Sequence, residues 1–347
     1  MPLLNQTQSS ATAAVAAGGQ HEAIRVIQIV ITTLIFLVGV PLNSLVVWVL
    51  GLRRGWRDRG VEGRSASSFR VYVVNLALAD LVLLLRTPLM LGYLAHHNTW
   101  PFGLTACRLI MFLRGLGLYA NAFLLCAISM ERCLCLMRPL WFRMRRSRWT
   151  VPLVCLVLWV LAICLSTPYV GTAKLLLNET QCWESDRDHP GSIWAFFITE
   201  SILGFILPLL IFLSSNVVVL VTARQAGETM SSVSSSSAVT SLRFTRLYRV
   251  LFLTMLFFLT CWVPYYTFRS VITLRGSQDL WVTNGLYASL YLVYLKSALN
   301  PLLYVFATRG LSRTIRASLL STVDRIFNDD TSDYTRRRSL RRQDSQL

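Results

Sequence analysis

Six charged side chains stand inside long apolar stretches of the chain, where a charge is costly unless it is paired or serves a function. They are Asp80, Arg86, Arg114, Glu200, Arg269 and Lys296. A guanidinium group is permanently charged and can donate two parallel hydrogen bonds to a carboxylate. Three arginines against one glutamate leave a positive balance, so the pattern predicts a site that binds an anionic ligand.

The spacing of these residues places the arginines in one half of the membrane. Arg114 follows Cys107 by seven residues, which is about 10 Å along a helix at a rise of ~1.5 Å per residue. Arg86 follows Asp80 by six residues, toward the end of its apolar stretch. The expected ligand-binding residues are Arg86, Arg114, Tyr119, Glu200, Tyr265, Tyr266 and Arg269. The alternative for each charged residue is a structural Glu–Arg pair or a side chain that reaches the membrane interface.

The composition predicts that these residues lie within a membrane. Of the 347 residues, 54% are apolar and 15% are charged, whereas a soluble domain carries about 25% charged residues. Apolar stretches near the ~20 residues that cross ~30 Å of hydrocarbon lie at 26–52, 70–95, 104–136, 151–171, 193–222, 247–274 and 282–306. We number them as spans one to seven and predict an all-α membrane protein, a seven-transmembrane helix bundle.

The distribution of arginine predicts how this bundle is oriented. The segments after spans one, three and seven are rich in arginine, and the segments on the opposite side hold few basic residues. By the positive-inside rule, the arginine-rich side is cytoplasmic and the N-terminus is extracellular. The net charge of +17 then favours contacts with membrane lipid and an inner-face partner over nucleic acid. We expect a multi-pass protein of the plasma membrane.

The chain divides into four regions. They are an extracellular N-terminal tail (1–25), the seven-transmembrane domain (26–307), an amphipathic inner-face helix (308–327) and a disordered cytoplasmic tail (328–347). Apolar residues at helical spacing, interspersed with arginine, predict the inner-face helix. Asn5 and Asn178 each begin an Asn-x-Thr sequence on the outer side, so both are candidate glycosylation sites. Ser339 follows three arginines and is a candidate for phosphorylation.

Two of the eight cysteines are predicted to form a disulfide bond. The other six lie in or at the ends of spans, where a cysteine acts as a small apolar residue. Cys107 at the start of span three and Cys182 in the loop after span four share the oxidising side of the membrane. A bond between them would hold that loop across the top of the bundle.

Short motifs in consecutive spans resemble those of one receptor family. They are Asn43 in "GVPLNS", Asp80 in "NLALAD", Glu131-Arg132-Cys133, Trp159, Trp262 and Pro264 in "CWVP", and Asn300, Pro301 and Tyr304 in "NPLLY". Together they make the chain similar to the rhodopsin-like (class A) G-protein-coupled receptors over roughly residues 25–330.

The resemblance implies roles for the residues of these motifs. Glu131 holds Arg132 in the inactive receptor, and activation frees Arg132 as span six moves outward and a heterotrimeric G protein binds. Such a pair at the edge of the hydrocarbon is a two-state element that ligand contacts can bias. The resemblance assigns activation and coupling to Glu131, Arg132, Trp262, Pro264, Asn300, Pro301 and Tyr304.

Three positions depart from the family pattern. Cys133 replaces the usual tyrosine after the arginine, and Asn216 replaces a tyrosine of span five that would partner Tyr304. The family's inner sodium site pairs Asp80 with a serine, where this chain has Asn121. Lys296 adds a fixed cation nearby, so our hypothesis is that its ammonium group takes the place of sodium beside Asp80.

Longer stretches resemble the chemoattractant branch, above all the leukotriene B4 receptors. They include "TPLMLGYLAHHNTWPFGLTACRL", "LYAN", "NETQC" and "TESILGFILPLL". The stretches "AISMERCLCLMRPLW" and "RASLLSTVDRIFNDD" resemble prostaglandin D2 type-2 receptors, and formyl-peptide receptors are similar at "RCLCL". The resemblance implies an acidic lipid (eicosanoid) ligand, an inhibitory-class G protein, arrestin and receptor kinases, and a role in chemotaxis and inflammation. A receptor for prostaglandin D2 or a peptide chemoattractant, and a receptor that does not signal, remain open alternatives.

The sequence provides no catalytic motif. It lacks a His-Glu-x-x-His metal site, a pair of catalytic carboxylates in one span and a glycine-rich phosphate loop. We therefore expect a protein that is not an enzyme, with no catalytic residue, metal ion or cofactor.

Overall fold

The computed structural model describes residues 2–53, 64–137, 147, 149–176, 181–184, 190–230, 237–275 and 279–307. The predictions for Asn178, Ser339, the inner-face helix 308–327 and the tail 328–347 lie outside these residues. The side chains of Asn5, Arg132 and Tyr304 also lie outside the description, although their backbone is helical.

Helices form every span. Span one is Pro2–Val46 followed by a π-helical segment Val47–Arg53, span two is Arg64–Leu84 and Thr87–Ala95, span three is Gly103–Met137, and span four is Thr150–Ser166 with a short helix Pro168–Thr172. Span five is Pro190–Ser201, a π-helical segment Ile202–Ile206 and Leu207–Met230, span six is Ser237–Arg275, and span seven is Leu280–Ala307. Residues 2–25, predicted as a tail, are helical and continue into span one.

The first five spans are long and apolar enough to cross a membrane by length and composition. Spans six and seven are long enough too, but polar side chains such as Arg269, Lys296 and Asn300 interrupt their apolar sequence. These residues are at least partly buried, so they lie toward the other helices rather than toward lipid. The all-α bundle with seven helical spans agrees with the prediction.

Span three is the central helix of the bundle. In its most apolar window 72% of the residues are buried, compared with 17% in span one, and it packs against spans two, four and five. A Cβ atom on Gly117 would lie 2.8 Å from Leu83 Cβ and 3.1 Å from Leu83 Cα. Glycine is therefore required at this position for the close approach of spans two and three.

A short β-hairpin covers one end of the bundle, which we call the hairpin end. Strand β1 (Ala173–Leu176) pairs antiparallel with β2 (Gln181–Glu184), and Leu175 lies opposite Cys182. Cys182 forms a disulfide bond with Cys107 at the start of span three, which confirms the predicted pairing. The bond fixes the hairpin to the central helix and thereby holds it over the end of the bundle.

Polar contacts join the spans below the hairpin. The Asn43 side chain donates to the Ser297 carbonyl at 3.1 Å, linking spans one and seven. Trp159 Nε1 of span four donates to Asn75 Oδ1 of span two at 3.0 Å. Because such groups have few other partners inside an apolar bundle, these bonds favour one arrangement of the helices.

Candidate functional site

A cavity of about 180 Å³ lies below the hairpin, between spans two, three, six and seven. Three arginines line it, namely Arg86, Arg114 and Arg269, together with Tyr265. Gln181 and Cys182 of the hairpin close its upper side. Among the described residues no acidic side chain lines the cavity. The sequence prediction placed these four side chains in one site, and the structure brings them together.

Glu200 of span five lies behind the cavity wall, where it is 1% exposed. Its carboxylate accepts hydrogen bonds from Tyr169 at 2.6 Å, Tyr265 at 3.2 Å and Arg269 at 3.1 Å. The Arg114 guanidinium forms a further ion pair with it at 3.7 Å. One carboxylate thus joins spans four, five and six and the central span, which is the structural Glu–Arg pairing that the sequence left open as an alternative.

Arg114 occupies both the network around Glu200 and the cavity. Its Nη1 donates to the Tyr265 hydroxyl at 2.8 Å, and this hydroxyl in turn donates to Glu200. The guanidinium also lies 5.2 Å from the centre of the Tyr169 ring, a cation–π distance. Arg114 and Arg269 therefore carry two positive charges that share the carboxylate of Glu200.

Arg86 of span two differs from the other two arginines because no acidic side chain in the described residues pairs with it. The side chain is 5% exposed, and its Nε and Nη1 atoms have no hydrogen-bond partner in the described part of the chain. Its guanidinium lies 5.4 Å from the centre of the Tyr294 ring, and Nη2 lies 4.0 Å from Met90 Sδ. A cation held in this way has donors ready for an anion that enters the cavity.

The charges of the site leave a net positive balance. Three guanidinium groups line the cavity, and a single carboxylate, Glu200, neutralises part of their charge from behind the wall. A buried charge without a counter-ion is strongly unfavourable in a medium of low polarity. The arrangement can therefore bind an anion with charge-assisted hydrogen bonds.

Aromatic residues connect the cavity to the interior of the bundle. The Tyr265 ring contacts the Trp262 ring edge-on, with 5.9 Å between centroids, and the Tyr266 ring stacks on Trp262 at 5.7 Å. The Tyr266 hydroxyl donates to the Glu200 carbonyl at 3.3 Å. Tyr119 is 2% exposed and stacks on Phe123 at 6.0 Å. Tyr119 and Tyr266 thus lie behind the cavity rather than in its lining.

A second polar cluster lies deeper in the bundle. Asn300 Nδ2 donates to Asp80 Oδ2 at 2.7 Å, and both residues are fully buried. Lys296 and Asn121 are also buried, at 2% and 1% exposure. Lys296 and Asp80 are near enough to interact electrostatically, although in the described structure no direct ion pair joins them. These are the residues of the predicted inner polar site.

At the far end of span three, Glu131 is partly buried. Because the Arg132 side chain is outside the description, the predicted contact between the two remains a prediction. Trp262 and Pro264 lie within the span six helix, and Asn300 and Pro301 lie within span seven. These positions agree with the places that their motifs occupy in the sequence.

Two tyrosines of the site were missed by the sequence analysis. Tyr169 supports Glu200 and Arg114, and Tyr294 supports Arg86. A signal was available for Tyr294, because Tyr287, Tyr291 and Tyr294 follow helical spacing on one face of span seven. Tyr169 stands directly after Pro168 at the end of span four and carries no comparable pattern.

The fold and the site define a class of protein: a seven-helix membrane receptor with a cationic ligand cavity at one end. A sequence model described as "7 transmembrane receptor (rhodopsin family)" matches residues 42–304. The chain therefore belongs to the rhodopsin family of seven-transmembrane receptors, as its motifs predicted. It is a receptor rather than an enzyme, and its family acts in the plasma membrane through a ligand and a G protein.

Relatives place it in the chemoattractant branch. The C5a anaphylatoxin chemotactic receptor 1 of Oncorhynchus mykiss is 33% identical over 88% of this chain and 83% of its own length. The C3a anaphylatoxin chemotactic receptor of Danio rerio is 27% identical over 90% of this chain and 81% of its own. The prostaglandin D2 receptor 2 of Mus musculus is 29% identical, with 89% and 79% covered.

Proposed function

We propose that the chain is a receptor for an acidic lipid mediator, a leukotriene B4-like eicosanoid. The hairpin end faces outward and the ligand carboxylate binds in the cavity below the hairpin. The observation that carries the proposal is Arg86, a buried guanidinium in the cavity wall whose Nε and Nη1 have no partner among the described residues. A carboxylate is the complementary group, because it accepts two parallel hydrogen bonds from one guanidinium.

The rest of the cavity wall suits the hydrocarbon part of such a ligand. Apart from the arginines, much of the lining consists of apolar and aromatic side chains, including Met90, Trp100, Ile110, Met111, Leu286 and Leu290. Ligand sites for small molecules combine mostly apolar walls with a few polar groups that fix orientation. An amphipathic acid satisfies both parts of this surface.

Binding would reach the coupling end through spans three and six. A ligand that contacts Arg114 and Tyr265 perturbs the Trp262 ring, which touches Tyr265. The hinge at Pro264 then allows span six to move, and Arg132 leaves Glu131 to bind the G protein, of the inhibitory class. We assign Asn300, Pro301 and Tyr304 to the same transition, because a ligand can shift only an equilibrium whose two states it contacts differently.

The cellular roles that we propose follow from this receptor class. Signalling serves chemotaxis and inflammation, and arrestin and receptor kinases act on the cytoplasmic tail, with Ser339 as a phosphorylation site. Asn5 and Asn178 carry glycans on the extracellular side. The regions 1–25, 308–327 and 328–347 serve as the outer tail, the inner-face helix and the cytoplasmic tail.

A second candidate ligand is a chemotactic peptide with a free carboxylate. The observation in its favour is the identity of 33% to a receptor named for the C5a anaphylatoxin, against 29% for the receptor named for prostaglandin D2. The same arginines would bind a peptide C-terminus. The apolar and aromatic part of the wall complements a hydrocarbon chain better than a peptide backbone, so the lipid remains the first proposal.

The test is a nucleotide-exchange assay with the full-length receptor in nanodiscs and purified inhibitory-class G protein. Leukotriene B4, prostaglandin D2 and C-terminal anaphylatoxin peptides are compared on the wild type, Arg86→Gln and Arg108→Gln. Arg108 is the matched control because it is exposed and does not line the cavity. We expect Arg86→Gln to weaken leukotriene B4 by about 10–100-fold, the loss of one charge-assisted contact.

The other outcomes separate the alternatives. Full potency of leukotriene B4 on Arg86→Gln would refute the cationic anchor. A response to peptides alone would select the second candidate. Binding of leukotriene B4 without nucleotide exchange would identify a receptor of the family that does not signal.

A further inference from the structure

We infer that the arginine cavity holds a chloride ion while no acidic ligand is bound, and that the ligand carboxylate displaces this ion. The ion lies between Arg86 of span two and Arg114 of span three, which both line the cavity. The ion site itself follows from the charges of the cavity, whereas its displacement rests on the proposed function. The inference adds an inorganic ligand to the site and makes the acidic lipid its competitor.

Arg86 provides the donors of this ion site. Its side chain is 5% exposed, and its Nε and Nη1 atoms are buried without a hydrogen-bond partner in the described residues. The neighbour of Nη2 is the thioether of Met90 at 4.0 Å, which is a weak acceptor. A buried donor that makes no hydrogen bond costs free energy, and a buried charge without a counter-ion costs more. The unliganded receptor is therefore stabilised by an anion that reaches Arg86.

Arg114 supplies a second positive charge beside the same space. It is buried and near enough to Arg86 for the two charges to repel each other. Glu200 does not cancel this repulsion, because Arg114 shares its carboxylate with Arg269. Three guanidinium groups against one carboxylate leave two positive charges at the cavity. An anion between Arg86 and Arg114 is attracted by both and reduces the repulsion between them.

The size and the walls of the cavity favour chloride over a larger or more highly charged anion. A volume of about 180 Å³ is several times the ~30 Å³ that one water molecule occupies in the liquid, so the ion fits with part of its hydration shell. Phosphate or sulfate would bring several oxygen atoms that need donors, while much of the remaining wall is apolar or aromatic. Chloride is a single atom with one charge, and it is the most abundant inorganic anion of extracellular fluid.

The ion and the ligand carboxylate compete because they use the same donors. A ligand that binds only the ion-free cavity has an apparent Kd that rises with the chloride concentration, by the same mass action that stabilises the ion-bound receptor. The acidic lipid also packs a hydrocarbon chain against the apolar wall, which the ion cannot do. The ion thus offsets the cost of the buried guanidinium in the unliganded receptor and still gives way to the ligand.

The first experiment measures the ion site without an organic ligand. Thermal unfolding of the detergent-solubilised full-length receptor is followed while chloride replaces gluconate from ~5 to ~150 mM, at constant sodium and ionic strength. For an ion affinity of about 30 mM, we expect the melting temperature of the wild type to rise by about 2–4 °C. Arg86→Gln should show no rise. Arg108→Gln, an exposed arginine outside the cavity, is the matched control and should behave as the wild type.

The comparison of variants decides whether the effect belongs to the cavity. A rise of the same size in Arg86→Gln would be a general effect of the salt on the protein and would overturn the ion site. A wild type whose melting temperature does not change with chloride would overturn it as well, whether or not Arg86→Gln folds.

The second experiment tests the displacement with tritium-labelled leukotriene B4 on the same preparations. We expect the Kd of the wild type and of Arg108→Gln to be about fivefold weaker at ~150 mM than at ~5 mM chloride. The Kd of Arg86→Gln should not depend on chloride. A wild-type Kd that stays constant would show that ion and ligand bind together, and would overturn the displacement. If chloride stabilises the receptor through Arg86 but leukotriene B4 does not bind, the proposed function has failed and the ion site stands.

Discussion

Arg114 of span three donates a 2.8 Å hydrogen bond to the hydroxyl of Tyr265 on span six. This bond lies at the cavity wall and connects the central helix to span six, the helix that moves in the proposed mechanism. In that mechanism, a ligand that competes for Arg114 acts directly on span six. The bond also depends on Glu200, because the same hydroxyl donates to its carboxylate at 3.2 Å.

Tyr265→Phe tests whether this bond transmits the signal. Removing the hydroxyl loses two hydrogen bonds to charged groups, one from Arg114 and one to Glu200, each worth about 1.5–3 kcal/mol. We expect a change in the balance between inactive and active states, seen as altered basal nucleotide exchange and agonist efficacy, with agonist affinity changed by less than about tenfold. Radioligand binding and nucleotide exchange on the same nanodisc preparation measure the two effects.

The control for this variant is Tyr287→Phe. Tyr287 lines the same cavity, and its hydroxyl makes no hydrogen bond to the described side chains. It should leave basal exchange and efficacy unchanged. If Tyr265→Phe behaved like Tyr287→Phe in both assays, the bond from Arg114 would be a packing detail rather than part of the signal.

Glu200→Gln should destabilise the receptor. The substitution removes the buried negative charge that Arg114 and Arg269 share, and breaking a buried ion pair on one side costs about 3–5 kcal/mol. We expect a clear fall in the melting temperature of the purified receptor, measured by thermal unfolding of the detergent-solubilised protein. Saturating acidic ligand should restore part of the loss, because its carboxylate can replace the missing charge. An unchanged melting temperature would show that the pairing contributes little.

Arg86→Gln should leave the free energy of unfolding of the unliganded receptor almost unchanged, in contrast to Glu200→Gln. In the described structure Arg86 has no acidic partner, so its removal leaves no charge behind and relieves the cost of a buried cation. We expect the free energy of unfolding of the unliganded receptor to stay within about 1 kcal/mol of wild type, since the lost cation–π contact with Tyr294 offsets the gain. The melting-temperature increase caused by a fixed concentration of the acidic ligand should be smaller than in wild type, because the affinity is lower. A fall as large as that of Glu200→Gln would place Arg86 in the structural network instead.

The sequence predicts the architecture of this protein well because a membrane imposes strong rules. Every span must be helical and apolar, so the seven stretches were visible by composition. The disulfide followed from the location of Cys107 and Cys182 on the same side. Arg86, Arg114 and Arg269 could be placed in one half of the bundle by counting residues, and they line one cavity.

The distribution of partners within the site could not be predicted in the same way. Which arginine pairs with Glu200 depends on helix rotation and on side-chain reach, and neither is encoded in spacing along a single helix. Arg114 and Arg269 share the carboxylate, while Arg86 lies against the Tyr294 ring. Tyr119 and Tyr266 were expected beside the ligand, but both are buried and neither lines the cavity.

Lys296 provides the last prediction. It is a buried cation on span seven that interacts electrostatically with Asp80, which accepts a 2.7 Å hydrogen bond from Asn300. An ammonium group at this place opposes the binding of a sodium ion by charge repulsion and offers the carboxylate a fixed counter-charge.

Agonist affinity of the wild type should therefore be the same in sodium chloride and in choline chloride. In Lys296→Met, which keeps most of the length of the side chain but removes its charge, sodium should lower agonist affinity by about tenfold. The double variant Lys296→Met/Asp80→Asn serves as the control, because it also lacks the carboxylate that would hold the ion. Radioligand competition at constant ionic strength measures each case. A wild type whose agonist affinity falls steeply with sodium, or a Lys296→Met variant that does not respond to it, would remove the ammonium group from this role.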